Sequence, residues 1–358
     1  MNINHPEPEI SLMERRTFLT GAAGAGAALT VGAPFVAPRL AQAATTISVV
    51  SWGGAYGEFL KEYWAKPFTA ETGIGVQFVA GPDLARVRAQ VSTNNIEWDV
   101  FDAPGALTFA GAKAGLWETI DTKLIDPGRF VKWPTNNVLV PTYIYAGGIG
   151  YNTDQTKNPA KTFAELWDVK NFPGRRALRA RASETMEIAL IADGVEPSKL
   201  YPLDIERAFK SLEKIKPHVK KWFTETAQGV TLLQTKEVEY TNGYLSRIKI
   251  ANESGVPVNV SMNQLMAGQN YFAITKGTKK KAEAMKFLEF ITRQKQQQEL
   301  PKVAGVGAIK DFDLSLLTEA ERRWTPSLTG PQHTIVSDEF WADRFIDVDK
   351  RFKEWILT

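Results

Sequence analysis

The chain contains no cysteine. Disulfides, thiolate nucleophiles and cysteine-ligated metals are therefore excluded, and so is a mature form anchored through a lipidated cysteine. Histidine is nearly as scarce, with three in all. Beyond the N-terminal segment only His218 and His333 remain, far apart in sequence, so neither a His-based metal site nor a Ser-His-Asp triad is expected. A charge excess of one sign is also missing. The 43 Lys and Arg residues nearly balance 40 Asp and Glu, leaving +3, which gives no case for nucleic acid or an anionic membrane surface as partner. The one Gly-rich run, Gly21–Gly26, has no strand before it and no Lys-Ser/Thr after it, which excludes a phosphate loop there. The apolar run Thr20–Gly32 is too short and too rich in glycine to span a membrane.

Residues 1–43 read as an export signal. Glu14-Arg15-Arg16-Thr17-Phe18-Leu19 is a twin-arginine pattern, the apolar run comes next, and Ala41-Gln42-Ala43 supplies small residues in A-x-A spacing. A charged start, an apolar stretch and a small-residue exit, in that order, predict export to the periplasm by the twin-arginine route. The chain beyond Ala43 is too long for one small core and points to two lobes.

The rest of the chain is organised around Thr46–Gly75. A β-type run, Ile47–Val50, meets Ser51-Trp52-Gly53-Gly54. A helix over Ala55–Thr72 then carries Phe59, Leu60, Tyr63, Trp64 and Phe68 at helical spacing, with a kink expected at Pro67. Strands over Gly75–Ala80 and Trp98–Phe101 alternate with a helix over Pro82–Thr93 and a short one over Ala106–Ala114. This β-α-β-α-β-α order predicts a parallel sheet with helices on its faces. Thr142–Tyr151 reads as a long strand with a glycine break. Helices are expected over Glu184–Asp193, with Ser183 as N-cap, over Ile205–Ile215, over Tyr244–Asn252 and over Ser337–Trp355. Separate strands are expected over Val256–Val260 and Tyr271–Thr275. With no flexible linker, the boundaries must be strand crossings. They divide the chain into lobe 1 (44–146 and 273–358) and lobe 2 (147–272), with a cleft that can hinge shut on a ligand.

The order of motifs resembles the periplasmic solute-binding proteins of ABC importers, in the spermidine/putrescine-binding-like group. The resemblance is carried by Ser51–Gly57, Trp98–Asp102, Gly148–Asp154, Thr162–Asp168, Phe172–Arg179, Ala192–Val195 with Lys199–Asp204, and Ala273–Gly277, so it covers nearly all of the chain after the signal. It implies the type II periplasmic-binding fold: α/β, two lobes, each a mainly parallel sheet flanked by helices, joined by crossing hinge strands. It also implies a monomer that hands a small molecule to an inner-membrane permease, with no catalysis and no cofactor.

Trp52, with Gly53 and Gly54, stands at the C-terminal end of the first strand, where open α/β sheets bind ligands. The indole is expected to stack on the ligand, and the glycines to let backbone approach it. Tyr56 is a weaker expectation, because it also fits a helix surface. Asp102 faces the same edge and would hold an ammonium group, unless it serves as a helix cap or turn acid. From the resemblance, Ser183–Glu187 supplies polar contacts, with Glu184 and Thr185 foremost, although acids also favour a helix's first turn. Arg179 and Arg181 could instead read a ligand carboxylate. Tyr244 comes after Thr241-Asn242-Gly243, where the resembled group places an aromatic over its ligand, more often within Trp-Asn-Gly. Gln269 and Asn270 stand where many of that group have Asp.

The ligand expected from the resemblance is a small amine such as putrescine or spermidine. The thin supply of carboxylates leaves an amino acid, an opine or another zwitterion as the alternative. An exported hydrolase with paired Asp102 and Glu184 lacks a nucleophile–base pair. Tyr143, Tyr145 and Tyr151 are separated by even numbers of residues along one strand and so share a face, but without a neighbouring His they make a poor ferric site.

Overall fold

The computed structural model describes residues 45–325, 328 and 330–358. The export-signal reading of residues 1–43 lies outside them. Ten strands form one sheet: β1 (Thr45–Ser51), β2 (Ile74–Ala80), β3 (Val100–Pro104), β4 (Leu139–Asn152), β5 (Arg176–Arg179), β6 (Val219–Phe223), β7 (Tyr240–Tyr244), β8 (Val258–Ile274), β9 (Val306–Gly307) and β10 (Thr334–Ile335). The main path runs β2-β1-β3-β8-β4-β7-β5-β6. β1 pairs in parallel with β2 and β3, and β5 in parallel with β6 and β7. These parallel groups carry buried apolar runs such as Val49–Val50 and Ala177–Leu178, as strands covered by helices on both faces must.

Two long strands join the groups. The C-terminal end of β8, Asn270–Ile274, pairs antiparallel with β3, while Gly147–Tyr151 of β4 pairs with β7. β4 and β8 pair with each other along nearly their whole length. The sequence suggested two strands at 256–260 and 271–275. Instead β8 is continuous over 17 residues. Its middle, Ser261–Asn270, is polar and unpatterned in sequence and becomes a strand through its pairing with β4. Gly268 is required there: a Cβ at that position would stand 2.4 Å from the Tyr145 hydroxyl of β4.

The helix after β1 runs as Gly54–Phe59, Leu60–Ala65 and Lys66–Thr72, and Gly73 ends it at φ 71°. The irregularity expected at Pro67 is a π-helical segment just before it, Leu60–Ala65. Its apolar stripe places Phe59, Leu60, Trp64 and Phe68 in a cluster with Phe272, Phe287 and Leu288. Of the chain's 10 Trp and 19 Phe, five and thirteen, respectively, are buried among the described residues. The predicted helix Ile205–Ile215 is found with the same bounds, capped by Asp204.

Asp338–Leu357 closes the chain as one helix capped by Ser337. Trp341 is fully buried, and Tyr271 of β8 donates to Asp338 (2.7 Å). At its other end Trp355 packs edge-on against Phe209 and Trp222. The sequence reading places this helix in lobe 1; Phe209 and Trp222 lie in the middle segment, 147–272.

Candidate ligand-binding site

β1 ends in Ser51, and two successive glycines at positive φ, Gly53 (58°) and Gly54 (57°), turn the chain into its helix. The turn leaves the Trp52 and Gly53 carbonyls facing the other strand group. Arg247, in the helix Leu245–Glu253 directly after β7, donates Nη2 to both, at 3.2 and 3.0 Å. A Cβ on Gly54 would lie 2.8 Å from Arg247 Nη1, so the glycine is what admits the guanidinium.

A cavity opens here, with about 540 Å³ of empty space counting its mouth. Trp52, Tyr56 and Pro104 form one side. Arg181, Thr226, Tyr244, Ser246 and Arg247 form the other. Tyr143, Tyr145, Ala146 and Asn270, from the two long strands, form the floor, with Val303 and Ala304 at the edge. Among the described residues two arginines line the cavity and no acid does.

The acids stand behind the lining. Asp102 is fully buried within β3. It accepts from Ser51 Oγ and from Asn270 Nδ2. Burial pushes its carboxyl up to about 7, against those hydrogen bonds, which favour the ionised form. Glu184 is also buried. It accepts from the Tyr145 hydroxyl (2.7 Å) and the Tyr244 hydroxyl (2.6 Å), and pairs with Arg181. This network draws Glu184 to φ 74° inside the helix Ala182–Ala192, a strained backbone for a residue with a Cβ. Ser183 is off-helical as well, and its hydroxyl has no partner, so it is not the N-cap the sequence suggested.

Three buried polar atoms of the lining residues make no hydrogen bond among the described residues: the Tyr56 hydroxyl, Asn270 Oδ1 and Arg181 Nε, although, beyond burial itself, Asp102 and Tyr143 stand near enough to the Tyr56 hydroxyl to raise its pKa. Such atoms are uncommon in folded proteins and mark where a ligand or water would bond. Burial, then Asp102 for Tyr56 and Tyr143 and Glu184 for Tyr145, raises those phenol pKa values. Burial also raises that of Tyr244. The hydroxyls therefore stay protonated, which suits hydrogen bonding better than metal ligation. Among the described residues no three His, Asp or Glu side chains converge as a metal site.

The structure thus brings Trp52, Tyr56 and Tyr244 together, with Gly53 and Gly54 shaping the turn. It sets Asp102 behind Asn270, and Glu184 behind Arg181 and the tyrosines. Thr185 and Gln269 are not among the lining residues: Thr185 Oγ1 donates to the Arg179 carbonyl (3.0 Å), and Gln269 Nε2 to the Tyr143 carbonyl (2.9 Å). Arg247, Tyr143, Tyr145 and Asn270 were not named as ligand residues from sequence. The even spacing of Tyr143 and Tyr145 on one strand was the available signal for those two. A second, larger cavity lies beyond Trp52, bounded by Arg179, Arg181 and the C-terminal helix.

Residues 63–311 match the family model described as bacterial extracellular solute-binding protein. The chain is 31% identical over 337 residues to the gamma-aminobutyric acid-binding protein of Pseudomonas aeruginosa, covering 90% of this chain and 94% of that one. It is 22% identical to the spermidine/putrescine-binding periplasmic protein 1 of Haemophilus influenzae, over 89% and 90% of the two chains. Among solved structures, the periplasmic binding protein AgtB from Agrobacterium tumefaciens R10, in complex with agropinic acid, superposes with a TM-score of 0.80. That match has 28% identity and covers 88% of this chain and 99% of that one.

Proposed function

The chain belongs to the bacterial extracellular solute-binding protein family, and on that footing we propose that it captures a small carboxylate-bearing zwitterion, of the ω-amino-acid or opine kind, for an ABC permease. Its two-lobed α/β architecture and periplasmic solute-binding role are those of its relatives, which are transport proteins and not enzymes. The observation that carries the ligand reading is the cavity lining: two arginines and no acid among the described residues. A diamine or triamine would meet like charge there, and burying cations without matching carboxylates costs several kcal/mol each. A carboxylate meets guanidinium forks suited to it. The relatives named for γ-aminobutyrate and agropinic acid support this reading, while the relative named for spermidine and putrescine supports the amine expected first.

In this reading the ligand carboxylate lies between Arg181 and Arg247. Its ammonium faces Asn270 Oδ1 and the Tyr56 hydroxyl, two of the unpartnered buried atoms of the lining. Trp52 and the tyrosine rings cover the carbon chain. Trp52 and Tyr56 come from proposed lobe 1 (44–146 and 273–358), and Arg181, Tyr244 and Arg247 from proposed lobe 2 (147–272). A ligand touching both sets stabilises the closed arrangement by the contacts it adds. β4 and β8 serve as hinges, the protein acts as a monomer, and Arg15-Arg16 direct export through the twin-arginine route.

Isothermal titration with γ-aminobutyrate, longer ω-amino acids, agropinic acid, putrescine and spermidine tests the ligand reading. Heat with carboxylate-bearing ligands and none with the amines is expected. Binding of putrescine or spermidine with no response to any carboxylate would overturn it.

A further inference from the structure

The proposed carboxylate site uses Arg181 and Arg247 but leaves Arg179 without a role. Arg179 ends β5 and Arg181 lies two residues on, so their side chains leave the same side of extended backbone. Both guanidinium groups stand over the Trp52 ring, 5.8 and 5.9 Å from its centroid. Only 4% of Arg179 and 7% of Arg181 are exposed. Arg179 Nη1 donates to the Thr224 carbonyl, while its buried Nε has no partner among the described residues. Arg181 Nη2 is taken by Glu184 and Tyr244, while its buried Nε is likewise unmatched among the described residues.

Arg181 pairs with Glu184, which also serves two tyrosines, while Arg179 feels the charges of Glu184 and Glu225 without an ion pair to either among the described residues. Burial holds Arg179 below its ordinary pKa, and the neighbouring Arg181 charge acts in the same sense, against Tyr244, Glu184 and Glu225. Charge placed this way is costly unless an anion completes it. The second cavity is lined by the acids Asp83, Glu225, Asp349 and Glu354. Its cations are Arg88, Arg179, Arg181, Lys350 and Lys353. Asp349 is engaged by the Ala182 N–H (2.8 Å) and Lys353 (2.8 Å), and Asp83 by the Arg86 N–H (2.9 Å). Arg179 and Arg181 form the inner wall of the second cavity, about 1490 Å³ with its open mouth, and Trp52 and Arg181 line both cavities.

We propose that this groove is a second anion subsite, with Arg179 reading a carboxylate at the far end of an extended ligand that passes Trp52. The transported solute is then a dicarboxylate amino compound, larger than a free ω-amino acid. The inference rests on the reading that a first carboxylate lies at Arg181 and Arg247.

The test uses γ-aminobutyrate carrying N-carboxymethyl, N-(2-carboxyethyl) or N-(3-carboxypropyl) arms, each against its carboxamide, titrated into the whole protein. At least one acid should bind ten times more tightly than its carboxamide. Arg179→Gln should bring that ratio below three, while Arg179→Lys, which keeps the charge without the fork, should keep part of it. Thermal melting of each variant reports folding, and the ratio is insensitive to a general loss of affinity. If γ-aminobutyrate binds and every acid–amide ratio is near one, the second subsite is refuted and the first reading stands. If neither γ-aminobutyrate nor any derivative binds, both fall. Binding of the acids alone would support the subsite and make the second carboxylate essential to affinity. A ratio that Arg179→Gln leaves intact would remove Arg179 from the role.

Discussion

Replacing Arg247 by Gln tests the carboxylate reading most directly. The side chain has two tasks. It lines the cavity, and it ties the helix after β7 to the Trp52 and Gly53 carbonyls on the opposite wall. Hydrogen bonds from a charged donor contribute about 1.5–3 kcal/mol each, and truncating one partner of a buried ion pair costs roughly 2–5 kcal/mol. Glutamine keeps an N–H donor and part of the volume, so the lower part of these ranges applies, about 3 kcal/mol in all. At 1.4 kcal/mol per decade, γ-aminobutyrate should bind roughly 100-fold more weakly. Putrescine, relieved of a like charge, should bind no worse than before. Arg247→Lys should fall between, since it keeps the charge and loses the planar fork. Isothermal titration gives the affinities, and melting of the unliganded variants shows whether they fold. An affinity for γ-aminobutyrate within threefold of the parent would refute the assignment of the carboxylate to Arg247. An equal loss for putrescine would show that the residue acts only through the shape of the cavity.

Trp52→Ala should weaken γ-aminobutyrate by about 2 kcal/mol, or roughly 30-fold, because it removes a ring lining both cavities and the surface on which two arginines rest; titration showing unchanged affinity would reduce Trp52 to scaffold. Gly54→Ala places a methyl 2.8 Å from Arg247 Nη1 at φ 57°. It should lower stability by about 1–3 kcal/mol and ligand affinity with it, measured by melting and titration. Three buried carboxyls, Asp102, Glu187 and Asp338, are each pushed up to about 7, chiefly by burial. The folded state then holds protons that the unfolded chain releases between about pH 4 and pH 7. Their contribution to stability is fullest at low pH and is lost as pH rises through 7. Melting temperature should therefore decline from pH 5 to pH 8, and Glu187→Gln, which keeps an acceptor for Tyr201 and Trp341, should flatten the decline. An identical slope in the variant would contradict the burial argument.

The features legible in the sequence were those that local pattern determines. β1, its Gly-Gly turn and the helix Ile205–Ile215 result from apolar spacing, capping and glycine. The middle of β8 was not legible, because Ser261–Asn270 has neither alternation nor β-branched content and is a strand only through its pairing with β4. Ser183 had the look of a cap. The helix instead bends at Ser183 and Glu184 because Glu184 is held by Tyr145, Tyr244 and Arg181, and the two tyrosines are brought in by the fold from β4 and β7. Arg247 was passed over for the same reason. Its position one turn after β7 is visible in sequence, but its reach to Trp52 depends on the two strand groups facing each other.

Asp102 and Glu184 are the carboxylates that the amine expected from the resemblance would draw on. Both acids lie at the site, as a reading for ammonium recognition requires. Each is already engaged by the protein's own donors, Asp102 by Ser51 and Asn270, Glu184 by two tyrosines and an arginine. Selectivity depends on the groups left over once those internal pairs form. The remainder around the first cavity is Arg247, the free edge of Arg181, Asn270 Oδ1 and the Tyr56 hydroxyl. Donors dominate at one wall, and two neutral oxygens stand at another. That remainder matches a carboxylate joined by a short chain to an ammonium, and it offers no anion to a diamine among the described lining residues.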